Sequence, residues 1–320
     1  MILSAGYGTR LWPLTEDRTK PAIPILGVPL VGYVAEYLAR YGCTDILVNL
    51  HHRPGSVRSA LGDGTQFGVT LRYIEEPVIL GTSGALDNAR DLLEAGTFIV
   101  VNGKIITDIN LSAALETHRK RKAMATLVLV PNAKRERFSI VNTADGLITG
   151  FGGMPQQGDT ATPLMFTGIH IMEPEIFDYI PRGVFSDSVI DVYRPAIAEG
   201  RTIAAHVAEG KWFELSTLRR YLDISLQMLA ETGASVTKGK DCVVAKDADV
   251  TDAILWDNVT VESKATLKRV ILADDVRIGA GDVITDAVVV PASLIAGKPI
   301  PDKASKGEFK GNNFVVPIAR

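Results

Sequence analysis

The residues best equipped for chemistry lie within the first twenty. Ala5-Gly6-Tyr7-Gly8-Thr9-Arg10-Leu11 follows a short apolar run, and Lys20 comes next in Thr19-Lys20-Pro21. Glycine lets the backbone approach a phosphate closely, and successive N–H groups in such a turn cradle an anion. Arg10 and Lys20 add two cations, and Pro13 and Pro24 stiffen the segment. The combination suits a triphosphate, because both cations would stabilise charge growing on an α-phosphate and on departing pyrophosphate. The string is not the dinucleotide fingerprint, which needs glycine where Leu11 stands. Nor is it a Walker A loop, since no Gly-Lys-Ser/Thr follows. Alone, a Gly-x-Gly turn reads equally well as a structural turn.

A loop of this kind needs a strand to deliver it. Met1–Ser4, Asp45–Leu50, Leu71–Ile74, Thr97–Asn102 and Ala125–Val130 read as strands, mostly continuous apolar runs of the sort buried on both faces. Helical patterns at Leu30–Arg40, Ala85–Leu93 and Ser112–Lys120 alternate with them, and Gly42 stops the first. This alternation predicts an α/β fold: a Rossmann-like domain with a mostly parallel sheet and ligands at the carboxyl ends of its strands. A further helix is predicted from Leu218 to Ala230, capped by Thr217 and ended by Gly233. Beyond it the helical period disappears. Ile254, Ile271 and Val288 are 17 apart, as are Val259 and Val276, Val261 and Ile278, and Leu267 and Ile284. Such self-similarity predicts stacked coils, and aliphatics near each sixth position fit a short left-handed β-helix. The expected domains are 1–232, the β-helix at 233–296 and a C-terminal tail at 297–320.

Composition narrows the classes. Lys and Arg total 34 against 37 Asp and Glu, so no charge excess points to nucleic acid or an anionic membrane. No apolar run reaches transmembrane length and no secretory signal is seen, so a cytoplasmic protein is expected. Cys43 and Cys242 read as free thiols, and the five histidines show no zinc-site spacing. The open faces of a short β-helix, with Ile271, Val276 and Val288, predict a homo-oligomer formed through this domain.

Gly6-Tyr7-Gly8-Thr9-Arg10-Leu11-Trp12-Pro13-Leu14-Thr15, followed by Lys20-Pro21, resembles the signature of the sugar-1-phosphate nucleotidylyltransferases, the NDP-sugar pyrophosphorylases, and is most similar to the mannose-1-phosphate guanylyltransferase-like members. Leu80-Gly81-Thr82-Ser83-Gly84-Ala85, Val100-Val101-Asn102-Gly103 and Lys211-Trp212-Phe213-Glu214 extend the resemblance over nearly the whole chain. It implies a nucleotidyltransferase whose substrates are an NTP and a sugar 1-phosphate, giving an NDP-sugar and pyrophosphate, with Mg²⁺ as cofactor and GDP-mannose as the favoured type of product. It also implies that Arg10 and Lys20 hold the phosphates as the catalytic cations. Leu3, Ala5, Gly6, Gly8 and Thr9 would contact the nucleotide, Glu76, Gly81 and Thr82 would read the base, and Asn102 and Gly103 would lie near ribose and α-phosphate.

Four positions depart from the family pattern. Lys104 stands where an aspartate would hold the metal, and Glu214 replaces the second metal aspartate, with Ser216 where glycine is usual. Gly152-Gly153-Met154-Pro155 replaces Glu-Lys-Pro, and Phe138-Ser139 replaces Tyr-Gly. An ammonium cannot ligate Mg²⁺, which takes oxygen donors. Either Lys104 supplies the charge itself, or Glu214 and Asp108 hold a metal elsewhere, or the chain is a catalytically silent homologue that binds nucleotide or NDP-sugar and regulates a partner. An acyltransferase built on the β-helix is disfavoured, because no histidine lies beyond His206 to act as base.

Overall fold

The computed structural model describes residues 1–154, 156 and 161–318. The chain forms two compact units. Met1–Ala5, Val31–Pro54 and Leu61–Trp212 make the first, and Gly6–Leu30, Gly55–Ala60 and Phe213–Arg320 the second.

The apolar runs of the first unit become strands of one nine-stranded sheet. Its strands are β1 (Ile2–Leu3), β2 (Asp45–Leu50), β3 (Thr70–Glu75), β4 (Phe98–Asn102), β5 (Ala125–Pro131), β6 (Val141–Ala144), β7 (Leu147–Phe151), β8 (Leu164–Met172) and β9 (Ile203–Val207), in the order β3-β2-β1-β4-β8-β5-β9-β7-β6. The β3-β2-β1-β4 half is parallel, and so is the β5–β9 pair. β8 runs antiparallel between β4 and β5, and β7 runs antiparallel to both β9 and β6, so the sheet is mixed. Six consecutive residues of β5 are buried, all apolar but Thr126, as an inner strand requires. Helix α1 (Leu30–Arg40) keeps its sequence boundaries, because Leu30, Val31, Val34, Ala35 and Leu38 form one buried stripe. The single helix expected over Ala85–Leu93 is two, Ser83–Asp87 and Arg90–Leu93. Arg90 opens the second of them. Its guanidinium reaches back to Asp87 Oδ1 at 2.7 and 2.8 Å and donates to the carbonyls of Phe177 and Ile180.

In the second unit, β10 (Val236–Lys238), β11 (Asp249–Leu255), β12 (Thr266–Leu272) and β13 (Val283–Pro291) stack in parallel. The partners are Val236↔Ala253↔Val270↔Ala287 and Ile254↔Ile271↔Val288, so the 17-residue sequence period is the structural register. A second face repeats with it, Val243–Val244 beside Thr260–Val261 beside Arg277–Ile278. These coils are a left-handed β-helix. The corners recur as well: Asp241, Asn258 and Asp275 have φ of +54°, +63° and +63°, and Asp252, Arg269 and Asp286 have φ of +51°, +54° and +46°. Asn and Asp tolerate that left-handed conformation best among side-chain-bearing residues. Arg269 is the exception, and it is held by Asp286 and Asp223, each at 2.9 Å. After the last coil the chain forms β14 (Glu308–Lys310) and β15 (Asn313–Pro317), and β15 lies antiparallel on β13, burying Phe314, Val315 and Val316.

A second expectation is corrected. Ile271, Val276 and Val288 are completely buried, not open on a face of the β-helix. Helix α2 (Leu218–Ala230) packs against β11 and β12, and its N-cap Thr217 accepts from Arg220 N–H at 3.2 Å. These three aliphatics therefore cannot serve as an oligomer contact. Among the described residues no helix is long and apolar enough to cross a membrane.

Candidate active site

The expected site residues divide between the units. Leu3, Ala5, Glu76, Gly81, Thr82, Asn102, Gly103 and Lys104 belong to the first, and Gly6, Gly8, Thr9, Arg10, Lys20 and Glu214 to the second.

In the first unit the parallel strands end together. β1 pairs with β4 through Leu3↔Asn102, and Gly103 N–H donates to the Leu3 carbonyl at 2.9 Å. A Cβ at Gly103 would stand 2.6 Å from Ser4 Oγ and 2.9 Å from Leu3 O, so no side chain fits between these strand exits. Asn102 crosses β8 at Gly168, where φ is +85° and a Cβ would collide with the Asn102 amide. Lys104 follows, half-buried.

Glu76 begins the next loop. It is buried, and its carboxylate turns inward: Asn49 Nδ2 donates to Oε1 at 2.6 Å and Leu80 N–H to Oε2 at 3.0 Å. The side chain expected to read a base thus fastens its own loop. Gly81 has φ +81° and forms a bridge to Ser186, and a Cβ there would collide with the Ser186 carbonyl oxygen. Thr82 Oγ1 accepts from Ser188 N–H at 2.7 Å and from Ser188 Oγ at 2.9 Å. Ser83 and Ser186 share a hydroxyl hydrogen bond of 2.8 Å. Gly81–Ser83 is therefore clasped to 186–188, a partner with no signal in the linear sequence.

In the second unit Gly8 opens a 3₁₀ turn over Thr9–Leu11 with φ +68°. A Cβ at Gly8 would lie 3.0 Å from Lys20 Cβ and 3.2 Å from Thr15 Cγ2. The glycine is what allows Lys20 to come against the turn, so two expected residues meet here. Thr19 N–H donates to Ser56 Oγ at 3.1 Å and fixes the approach to Lys20. Gly6 and Arg10 are exposed. The rest of the segment is bolted to the β-helix within the same unit. Arg18 pairs with Asp17 and Asp274 and lies over the Trp256 ring at 4.8 Å. Trp256 Nε1 donates to Tyr221 Oη at 2.9 Å, Tyr221 Oη donates to the Pro24 carbonyl, and Trp12 packs edge-on to Phe314.

The metal expectation meets three observations. Among the described residues no group of three His, Cys, Asp or Glu side chains is placed to hold an ion. Glu214 is buried beside Arg220, whose Nε donates to the Glu214 carbonyl at 2.7 Å and stands 3.7 Å from Oε2. Asp108 is exposed, and its Oδ1 accepts from Lys211 N–H at 2.6 Å. An ammonium at position 104 cannot itself ligate a divalent cation, which takes oxygen donors. Gly152 and Gly153 are described and Met154 is exposed, whereas Pro155 lies outside the described residues.

Residues 1–231 match the Nucleotidyl transferase family, and residues 230–298 match the GlmU-like C-terminal hexapeptide family. The chain is 29% identical to the UTP–glucose-1-phosphate uridylyltransferase of Synechocystis sp., over 97% of this chain and 82% of that protein. It is 26% identical to the mannose-1-phosphate guanylyltransferase of Mycobacterium tuberculosis, over 84% and 82%. It is 33% identical to the N-acetylmuramate alpha-1-phosphate uridylyltransferase of Neisseria meningitidis serogroup B, over 69% and 94%. A crystal structure of a putative glucose-1-phosphate thymidylyltransferase from Bacillus anthracis superposes with a TM-score of 0.61 at 23% identity, covering 71% of this chain and 93% of that one, a likeness of fold.

Proposed function

We propose, from the premise that this chain belongs to the nucleotidyl transferase family, that it joins a nucleoside triphosphate to a sugar 1-phosphate. A phosphate oxygen of the sugar 1-phosphate attacks the α-phosphorus. The new P–O bond forms as the bond to the β-phosphate breaks, and pyrophosphate leaves with the electron pair. Little covalent chemistry falls to the protein in such a step, so positioning and charge stabilisation carry the rate. The observation that supports this reading most directly is the close seat of Lys20 against the Gly8 turn in a chain of this family. Arg10 and Lys20 neutralise the phosphates and the departing pyrophosphate. Gly81 and Thr82 shape the base loop, and Asn102 and Gly103 receive the ribose side. We favour a GDP-mannose-type product on the signature resemblance; the relatives named above divide between uridine and guanosine nucleotides.

Lys104 gives the reading its particular form. With an ammonium where the resemblance places a metal-holding aspartate, part of the charge on the phosphates falls to the chain's own cations, whose attraction for phosphate grows as the effective dielectric falls. Nucleotide then binds without a strict Mg²⁺ requirement and turnover is slow. The test is pyrophosphate release over GTP and UTP, each with mannose 1-phosphate and glucose 1-phosphate, with Mg²⁺ or EDTA. Nucleotide binding that persists in EDTA is expected, and Lys104→Asp should make it Mg²⁺-dependent. Rapid, strictly Mg²⁺-dependent turnover by the unaltered protein overturns the role given to Lys104. The same lysine favours a second reading, a silent homologue that binds nucleotide and regulates a partner, which predicts binding with no pyrophosphate released from any pair.

A further inference from the structure

Two stretches of the first unit assigned to the nucleotide are joined by one side chain outside the expected site residues. Asn49 is the penultimate residue of β2. Its Oδ1 accepts from Ser4 N–H at 2.7 Å, at the exit of β1. Its Nδ2 donates to Glu76 Oε1 at 2.6 Å, at the start of the base loop. Glu76 Oε2 accepts from Leu80 N–H at 3.0 Å, and the Glu76 carbonyl meets His51 Nδ1 at 2.8 Å. Ser4, Asn49 and Glu76 are each at most 3% exposed. Every link joins a donor to an acceptor, and the amide is held in one orientation: turned over, it would set N–H against N–H at Ser4 and oxygen against oxygen at Glu76. Hydrogen bonds to a buried carboxylate are short and strong, and such a network loses much when one member fails.

We infer that Asn49 is a positioning residue for the nucleotide, fixing the distance between the β1 exit and the Glu76–Leu80 loop, and that Glu76 acts through this clamp. The inference rests on the function proposed above. It separates Glu76 from direct base reading, which falls to groups the loop presents, such as the backbone around Gly81.

The clamp can be rebuilt with its charge moved. In Asn49→Asp two carboxylates face each other with no donor between them. In Glu76→Gln the new amide presents a donor either to Leu80 N–H or to Asn49 Nδ2. In the double variant the introduced carboxylate accepts from both Ser4 N–H and the introduced amide. The oxygen of that amide accepts from Leu80 N–H, and net charge is unchanged. The measurement is calorimetric Kd for UTP and GTP, with a melting temperature for each variant. Each single variant should bind the preferred nucleotide about tenfold more weakly, and the double should return to within about threefold with the same order of UTP and GTP. Affinity unaltered in Asn49→Asp overturns the inference. So does a double variant that melts like the unaltered protein yet has lost nucleotide or reversed its preference, since Glu76 then touches the base. If the unaltered protein binds neither of these nor dTTP, ATP or CTP, the proposed function itself fails, whatever the variants do.

Discussion

In the stacked coils a residue and the one 17 positions later hold equivalent places, as Ile254, Ile271 and Val288 do. The nine-stranded sheet and its loops have no such repeat, and close approaches there are singular: Gly103 under Ser4, Gly168 under Asn102, Gly81 under Ser186. One region is ordered by repetition of an average residue type, the other by singular close approaches. A lesion in the first should therefore cost stability without touching ligand, whereas a lesion at one of these close approaches should cost both.

The largest effect is expected where that contrast is strongest. Gly81→Ala adds a Cβ against the Ser186 carbonyl oxygen at a left-handed backbone position. It should cost about 4 kcal/mol, strain and overpacking together, and abolish nucleotide binding, as denaturant titration and calorimetry would read. Leu267→Ala, in the fully buried core of the coils, should cost about 3 kcal/mol while leaving nucleotide Kd within about twofold. A change in Kd there would show that the two kinds of region are not energetically separate. Arg10→Ala sharpens the opposite case. The side chain is exposed, so melting should hardly move, yet NTP binding should weaken about 20-fold through loss of a charge-assisted contact.

A last contrast separates buried chemistry from ligand chemistry within the sheet. His170 on β8 is buried against the Tyr193 hydroxyl, and burial lowers its pKa to about 3 from 6.5. Between those values the unfolded chain binds more protons than the folded one, so this contribution is complete above pH 6.5 and is lost as pH falls toward 3. The loss should run at about 1.4 kcal/mol per pH unit. Melting curves at pH 7.5 and 5.0 should show a steeper drop for the unaltered protein than for His170→Gln, with nucleotide affinity at pH 7.5 alike in both.

Regularity decided what could be read in advance. Helix α1, strand β2, helix α2 with its Thr217 cap and the 17-residue coils were legible because propensity, period and capping agree there. The helix at Pro54–Leu61 was not, having only a short and weakly amphipathic stripe, with proline as its first residue. The signature loop was visible as a string, but the seat of Lys20 against Gly8 depends on a fold-back of twelve residues. Position 49 offered a faint signal, one amide at the end of the apolar run Ile46-Leu47-Val48. Its meaning lies in Ser4 and Glu76, 45 and 27 residues away, where no local rule reaches. Glu214 and Asp108 show the reverse: residue types suited to metal, whose surroundings of guanidinium and backbone N–H only three dimensions reveal.

The 17-residue register sets the increments in which this β-helix can change length. Removing one whole coil, for instance 249–265, would bring Thr266 to the place Asp249 holds, with every inward aliphatic still inward, because those two residues are already register partners. The stack would shorten by one strand spacing, about 4.8 Å, and the β14–β15 hairpin would still meet the same last coil. Removing a single residue would instead turn every side chain before the next corner to the opposite face. Length in this half of the molecule is therefore counted in whole coils, like the storeys of a building.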